Sequence, residues 1–162
     1  LHRLIRRQRQ MCIRDSDDVA FGPLNMGLPR DEVRRRVEDS LREVDMLYAI
    51  ERCSHHLSVG ERKRVCIASV LAMSPEVLAL DEPTANLDPR HRRQAIELLA
   101  RLDHTSIVAT HDLDAVLDLC SRVVLLDEGM VVADGPTEQI LGDRDLLEVH
   151  NLELPLSLQG RR

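Results

Sequence analysis

Apolar residues recur along this chain at two alternating periods. Val33, Val37, Leu41 and Val44 are spaced by three and four, and Arg30–Asp31–Glu32 precedes them, which predicts a helix over Arg30–Val44. A short helical piece around Asp45–Glu51 follows. The spacing of Val65, Ile67, Ala68, Leu71 and Ala72 predicts a helix within Leu57–Met73. The period then changes. Val77–Leu80 is a compact aliphatic run ending in Asp81, the pattern of a strand covered on both faces. Thr105–Ala109 and Val123–Leu126 read the same way. Helices are predicted between them over Arg90–Leu102, with Pro89 at the first turn, and over Leu113–Cys120. Asp127-Glu128-Gly129 predicts a turn into Met130–Ala133, and Asp134-Gly135-Pro136 closes that hairpin. Thr137–Leu141 starts a last helix, and 143–162 reads as a polar tail. Ala20–Pro29 carries Gly22, Pro23 and Gly27 and reads as a loop. Alternation of strands and helices through short loops predicts an α/β fold with a mostly parallel sheet.

Composition narrows the picture. With 162 residues and 43% hydrophobic content the chain can bury a core, and with 1% aromatics that core is aliphatic. Scarce aromatics also argue against stacking on single-stranded nucleic acid. The net charge is −6, unevenly spread: Leu1–Ser16 carries five Arg and one Asp, leaving the rest strongly acidic. An acidic body disfavours phosphate-backbone binding, so no nucleic-acid partner is expected. No apolar run reaches the roughly 20 residues of a membrane span. Leu1–Ser16 lacks periodicity, and its RQRQMCIRDS stretch resembles a translated adapter sequence. It is expected to be a non-native tail, a native basic arm being the alternative. The cysteines Cys12, Cys53, Cys66 and Cys120 form no CxxC pair. Cys66 and Cys120 fall in periodic apolar stretches and are expected to be buried thiols, with metal ligation the alternative.

The candidate chemistry begins at Asp81 and Glu82. A buried strand ending in two carboxylates places them at the sheet edge where ligands of open α/β folds collect. The first suits Mg²⁺ held through its water shell, and the second suits orienting or deprotonating a water. A strand ending in an acidic turn without function is the bland reading of the same residues. Ser58 and the amides near Gly60 open a helix, where free N–H groups attract anions, although Ser58 as a simple N-cap uses the same geometry.

Four segments in order resemble the ABC ATPase family. Leu57-Ser58-Val59-Gly60-Glu61 is similar to its signature motif. Val77–Asp81 with Glu82 is similar to its Walker B strand and catalytic carboxylate. Ala85-Asn86-Leu87-Asp88 resembles the D-loop, and Thr110-His111-Asp112 the switch-histidine motif. The resemblance runs from about Asp17 to Leu141. It implies the C-terminal part of a P-loop NTPase core over 75–142, preceded by a helical signature subdomain over 17–74. It also implies ATP and Mg²⁺ as cofactors, with Asp81 toward the metal, and Glu82 and His111 as catalytic residues. Ser58, Val59, Gly60 and Glu61 would face nucleotide on an opposing protomer, and Asn86, Leu87 and Asp88 would form the D-loop. Val59 stands where the family's signature carries glycine, and a β-branched residue resists a positive φ. Asp112 is expected to cap the next helix, and His55 and His56 to be local packing or solvent residues. Lys63 is the only lysine, and no Gly-x-x-x-x-Gly-Lys-[Ser/Thr] loop occurs, so the chain is expected to begin past the P-loop and Gln loop and to be inactive alone.

Asp18–Pro29, His55-His56-Leu57-Ser58, Val123–Gly129 and Ala133–Pro136 resemble ATPases of energy-coupling-factor and cobalt/nickel importers. That implies a second ATPase subunit, as homo- or heterodimer, and a transmembrane coupling subunit holding the protein at the cytoplasmic face of the membrane. The alternatives are a soluble ABC ATPase acting on DNA or ribosomes and a non-catalytic partner that binds only in trans. Intact Glu82 and His111 argue against the latter.

Overall fold

The computed structural model describes residues 15–50 and 57–159. The chain falls into two compact units, Leu1–Leu78 and Ala79–Arg162.

In the first unit, α1 (Asp15–Asn25) is followed by α2 (Arg30–Glu43), a 3-10 turn (Leu47–Ala49) and α3 (Val59–Leu71). The buried stripe of α2 is Val33, Val37, Ser40 and Leu41, as its apolar spacing requires. The helix ends in a Schellman motif. Asp45 takes φ 57°, its N–H donates to Arg42 O (3.1 Å), and Met46 N–H donates to Leu41 O (2.7 Å). Leu41 and Met46 are both fully buried, supplying the apolar contact that accompanies this cap.

Part of the expected Ala20–Pro29 loop is helical instead. Helix α1 runs through Gly22 and Pro23, although Pro23 has no N–H to donate. Tertiary packing overrides the local breakers. Val19 and Pro23 are fully buried, and a Cβ on Gly22 would lie 2.6 Å from Met73 Cγ. The glycine lets α1 lie against the residues that follow α3.

In the second unit, β1 (Val77–Asp81, beginning at the junction) pairs with β2 (Thr105–Ala109) through the crossover helix α4 (Pro89–Arg101). Helix α5 (Leu113–Leu119) leads to β3 (Arg122–Asp127), which pairs antiparallel with β4 (Met130–Pro136). Glu128 (φ 46°) and Gly129 (φ 78°) give the two positive values of a type I′ hairpin turn. Strand β4 extends through Asp134-Gly135-Pro136, with Gly135 opposite Val123, so that tripeptide continues the ladder instead of closing it.

The α/β class stands, but the three aliphatic strands divide between two two-stranded sheets. They are also less covered than their composition suggests: Ile107 is 64% exposed and Leu126 65%. Leu78 and Leu125 are the buried aliphatic residues of β1 and β3, because the described residues cover only part of each strand. Cys66 is likewise exposed, since α3 buries Gly60, Val65, Ala68 and Leu71 on another face, and Cys120 is half-buried.

The expected polar tail contains structure. After α6 (Thr137–Gly142), Asp143 caps α7 (Arg144–Val149) through Leu146 N–H. Leu147 is fully buried in a cluster with Val116, Ile140 and Leu141, and Leu152 and Leu154 pack around it. The seven aliphatic residues of 143–162 (Leu146, Leu147, Val149, Leu152, Leu154, Leu156 and Leu158) keep no single period, yet Leu146, Leu147, Leu152 and Leu154 dock the segment. Leu147→Ala should therefore lower the unfolding free energy by roughly 2–5 kcal/mol in chemical denaturation. A loss below about 0.5 kcal/mol would return this segment to the status of a tail.

Candidate functional site

Strand β1 delivers Asp81 and Glu82 to its C-terminal end. Asp81 is exposed, and its carboxylate has no hydrogen-bond or ion-pair partner among the described residues. Such a free carboxylate suits a hydrated divalent cation, which takes oxygen ligands and keeps much of its water. Glu82 is fixed. Its N–H donates to Ala109 O (2.9 Å) at the end of β2, and its O accepts from Ala85 N–H (3.2 Å). Its φ of 45° lies in the left-handed region, an uncommon setting for a non-glycine residue that turns the chain sharply after the strand.

Thr110 and His111 hold the Glu82 carboxylate. Thr110 Oγ1–H donates to Oε2 (3.0 Å), while His111 N–H (3.1 Å) and His111 Nδ1 (2.7 Å) both reach Oε1. The His111 bonds lead, with help from Thr110, in keeping the carboxyl below its usual range despite partial burial. An ionised carboxylate only accepts, so His111 Nδ1 carries the hydrogen and Nε2 is the ring nitrogen left for another partner. The His111 side chain is 83% exposed. The pair presents an ionised acceptor, able to order a water, beside an accessible imidazole.

The next residue, Asp112, caps α5 as its position predicts, accepting from Ala115 N–H (3.1 Å). It also does more. Arg92 of α4 grips it with Nε on Oδ2 (2.7 Å) and Nη2 on Oδ1 (2.6 Å), and the buried Thr84 donates its hydroxyl to Oδ2 (3.1 Å). The Arg92 bonds, opposed by burial and joined by Ala115 and Thr84, draw the Asp112 carboxyl from an ordinary 3.8 to about 2. Sequence reasoning missed Arg92. Its place one turn into α4 was legible, but nothing in the chain's pattern links it to a carboxylate beyond the next strand.

Of the D-loop residues, Asn86 is exposed with φ 59°, and Leu87 is half-buried. Asp88 is the N-cap of α4, accepting from Arg90 N–H and His91 N–H (both 3.0 Å), and its other oxygen contacts His91 Nδ1. His91 leads in holding the Asp88 carboxyl below its usual range.

In the first unit, Ser58 caps α3 within a full capping box. Glu61 N–H donates to Ser58 Oγ (3.3 Å), and Ser58 N–H donates to Glu61 Oε2 (2.7 Å). Tyr48 donates its hydroxyl to the other Glu61 oxygen (2.6 Å), a contact sequence periodicity gave no hint of. Val59 is the first residue of α3 and is not among the positive-φ residues, so its β-branch meets no backbone conflict. Gly60 is buried. His55 and His56 lie outside the described residues.

Comparison with known proteins gives the family of the chain. The ABC transporter family profile matches residues 3–85, which include most of Leu1–Ser16. An ABC transporter ATP-binding protein of Gloeobacter violaceus is 57% identical over 144 residues, covering 88% of this chain and 59% of the relative. The energy-coupling factor transporter ATP-binding protein EcfA of Carboxydothermus hydrogenoformans is 50% identical over 143 residues, covering 86% and 53%. Among solved structures, cbiO1 of Clostridium perfringens, part of the ABC transporter complex cbiONQ, matches with a TM-score of 0.74 and 39% identity. That match covers 86% of this chain and 57% of that one. The chain thus spans a little over half the length of these relatives.

The Asp112 charge makes a pH prediction. A carboxyl depressed in the folded state adds stability that is complete above its ordinary 3.8 and is lost as pH falls through about 2. The depression corresponds to roughly 2 kcal/mol. The stability gap between the native chain and Asp112→Asn should be full above about pH 5 and shrink toward pH 2. A gap of the same size at both ends would remove the charge from the account.

Proposed function

Because the chain belongs to the ABC transporter ATP-binding family, we propose that it is the part of a transport ATPase that activates water for ATP hydrolysis, in an importer of metal ions or vitamins. One observation carries the reading: Glu82 stands at the end of β1 with both carboxylate oxygens held by Thr110 and His111. These bonds keep the carboxylate ionised and fix its plane, so it can accept a hydrogen bond from an attacking water. Glu82 accepts that water's proton, or orients it for in-line attack, and His111 contacts the γ-phosphate through its remaining nitrogen. Asp81, exposed and without a partner among the described residues, suits the cation; Mg²⁺ held there through water would neutralise charge on the phosphate oxygens.

The signature acts across a dimer. The capped end of α3, with Ser58, Val59, Gly60 and Glu61, faces nucleotide bound by a second ATPase subunit, and Asn86, Leu87 and Asp88 approach the same partner. A transmembrane coupling subunit holds the pair at the cytoplasmic face of the membrane. The importer class is supported by the likeness to EcfA and cbiO1. No helix among the described residues is long and apolar enough to cross a membrane. Residues 1–162 contain no phosphate-binding loop and are inactive alone.

Purified 1–162 should show neither ATP turnover nor an ATP-dependent thermal shift, and either one would contradict the last point. In the full-length subunit, His111→Ala should slow turnover by roughly a hundredfold through loss of the phosphate contact. A rate within about threefold of native would remove His111 from the site. Trans action is tested in a mixed dimer of full-length subunits, one carrying Ser58→Arg and the other a disabled P-loop lysine. The lesions then share one composite site, and the second site continues to turn over. Placing both lesions in one subunit should abolish activity. Equal rates in the two arrangements would refute action in trans.

A further inference from the structure

The hydrogens behind Glu82 run in a fixed direction. Asp112 N–H donates to Thr110 Oγ1 (3.1 Å), and a hydroxyl has one hydrogen of its own, so that hydrogen is left for Glu82 Oε2. The polarity of the Thr110 hydroxyl therefore depends on where the Asp112 backbone sits. Asp112 is held chiefly by Arg92, whose two guanidinium nitrogens meet its two oxygens at 2.7 and 2.6 Å. Arg92 belongs to the first turns of α4, and its own N–H donates to Asp88 O (2.8 Å) at the helix cap. One line of hydrogen bonds thus joins Asp88, Arg92, Asp112, Thr110 and Glu82, all within Ala79–Arg162.

From this geometry we propose that Arg92 is a positioning residue for Glu82, gripping Asp112 so that the Thr110 hydroxyl is presented to the Glu82 carboxylate. The inference rests on the ATPase reading given above. A bidentate fork fixes both the distance and the plane of a carboxylate, which a single ammonium does not. Without the fork Asp112 keeps its cap to Ala115 and the Thr84 bond but can rotate about them. Thr110 then loses its fixed acceptor role, and its hydrogen bond to Glu82 is no longer held in one direction. Misplacement of a reacting group by a fraction of an ångström to one ångström costs rate far more than binding.

Two measurements test this. In the full-length ATPase, Arg92→Gln should lower kcat by about tenfold or more with KM for ATP within about twofold, and Arg92→Lys should recover part of the loss. In the 162-residue chain, Arg92→Gln should speed hydrogen exchange at the His111 amide, bonded to Glu82, by about tenfold, while the Leu147 amide of the same unit is unchanged. An Arg92→Gln kcat within about twofold of native overturns the proposal. So does equal acceleration at His111 and Leu147, which would make Arg92 a general stabiliser. If the unsubstituted full-length protein does not hydrolyse ATP, the ATPase reading fails, and the exchange comparison still decides whether Arg92 holds the pair in place.

Discussion

The carboxylate of Asp112 receives hydrogen bonds from Arg92 Nε, Arg92 Nη2, the Thr84 hydroxyl and the Ala115 amide. These come from α4, from the turn after β1 and from α5, so one side chain ties together the segments that surround the end of the β1–β2 pair. A charge only partly open to solvent has to be matched in this way, because an unmatched one would be expensive to keep there. The consequence for chemistry is indirect but definite. With Asp112 fixed, Thr110 and His111 have one arrangement, and that arrangement holds Glu82. The left-handed φ of Glu82 is sustained by the same surroundings, through its bonds to Ala109 and Ala85.

The end of α3 is organised separately and by a different device. Its capping box satisfies amides reciprocally, and Tyr48 pins the Glu61 carboxylate that closes the box. A negative side chain at the third helical position is favourable for the helix dipole. It also places a carboxylate beside amides proposed to meet phosphate, so its bonds to Ser58 and Tyr48 matter for keeping that charge occupied.

Much of this was legible in the sequence, for identifiable reasons. Aliphatic runs ending in acidic residues located β1, and Pro89 after Asp88 located the start of α4, because aliphatic patterning and capping chemistry are local properties. The α2 stripe was legible for the same reason. What stayed hidden depends on partners remote in sequence. Gly22 and Pro23 read as breakers, yet the burial of Val19 and Pro23 and the approach to Met73 keep α1 helical through them. The aliphatic residues of 143–162 keep no single period, yet Leu147 is fully buried. Cys66 followed the apolar period of α3 but sits off its buried face. The proposed site residues announced themselves through a family pattern, whereas Arg92 and Tyr48, which bond to their neighbourhood, belong to no pattern a single chain displays.

The central claim is that Glu82 is the group that activates water, and that its neighbours keep it ionised and aimed for that task. Its most direct test is the steady-state hydrolysis rate of the full-length ATPase carrying Glu82→Gln, an isosteric change that removes the charge and the basic oxygen while keeping the side chain's shape. The account predicts a fall of about a hundredfold or more with ATP-driven dimer closure retained. A rate within about threefold of native would make Glu82 a structural carboxylate and contradict the account.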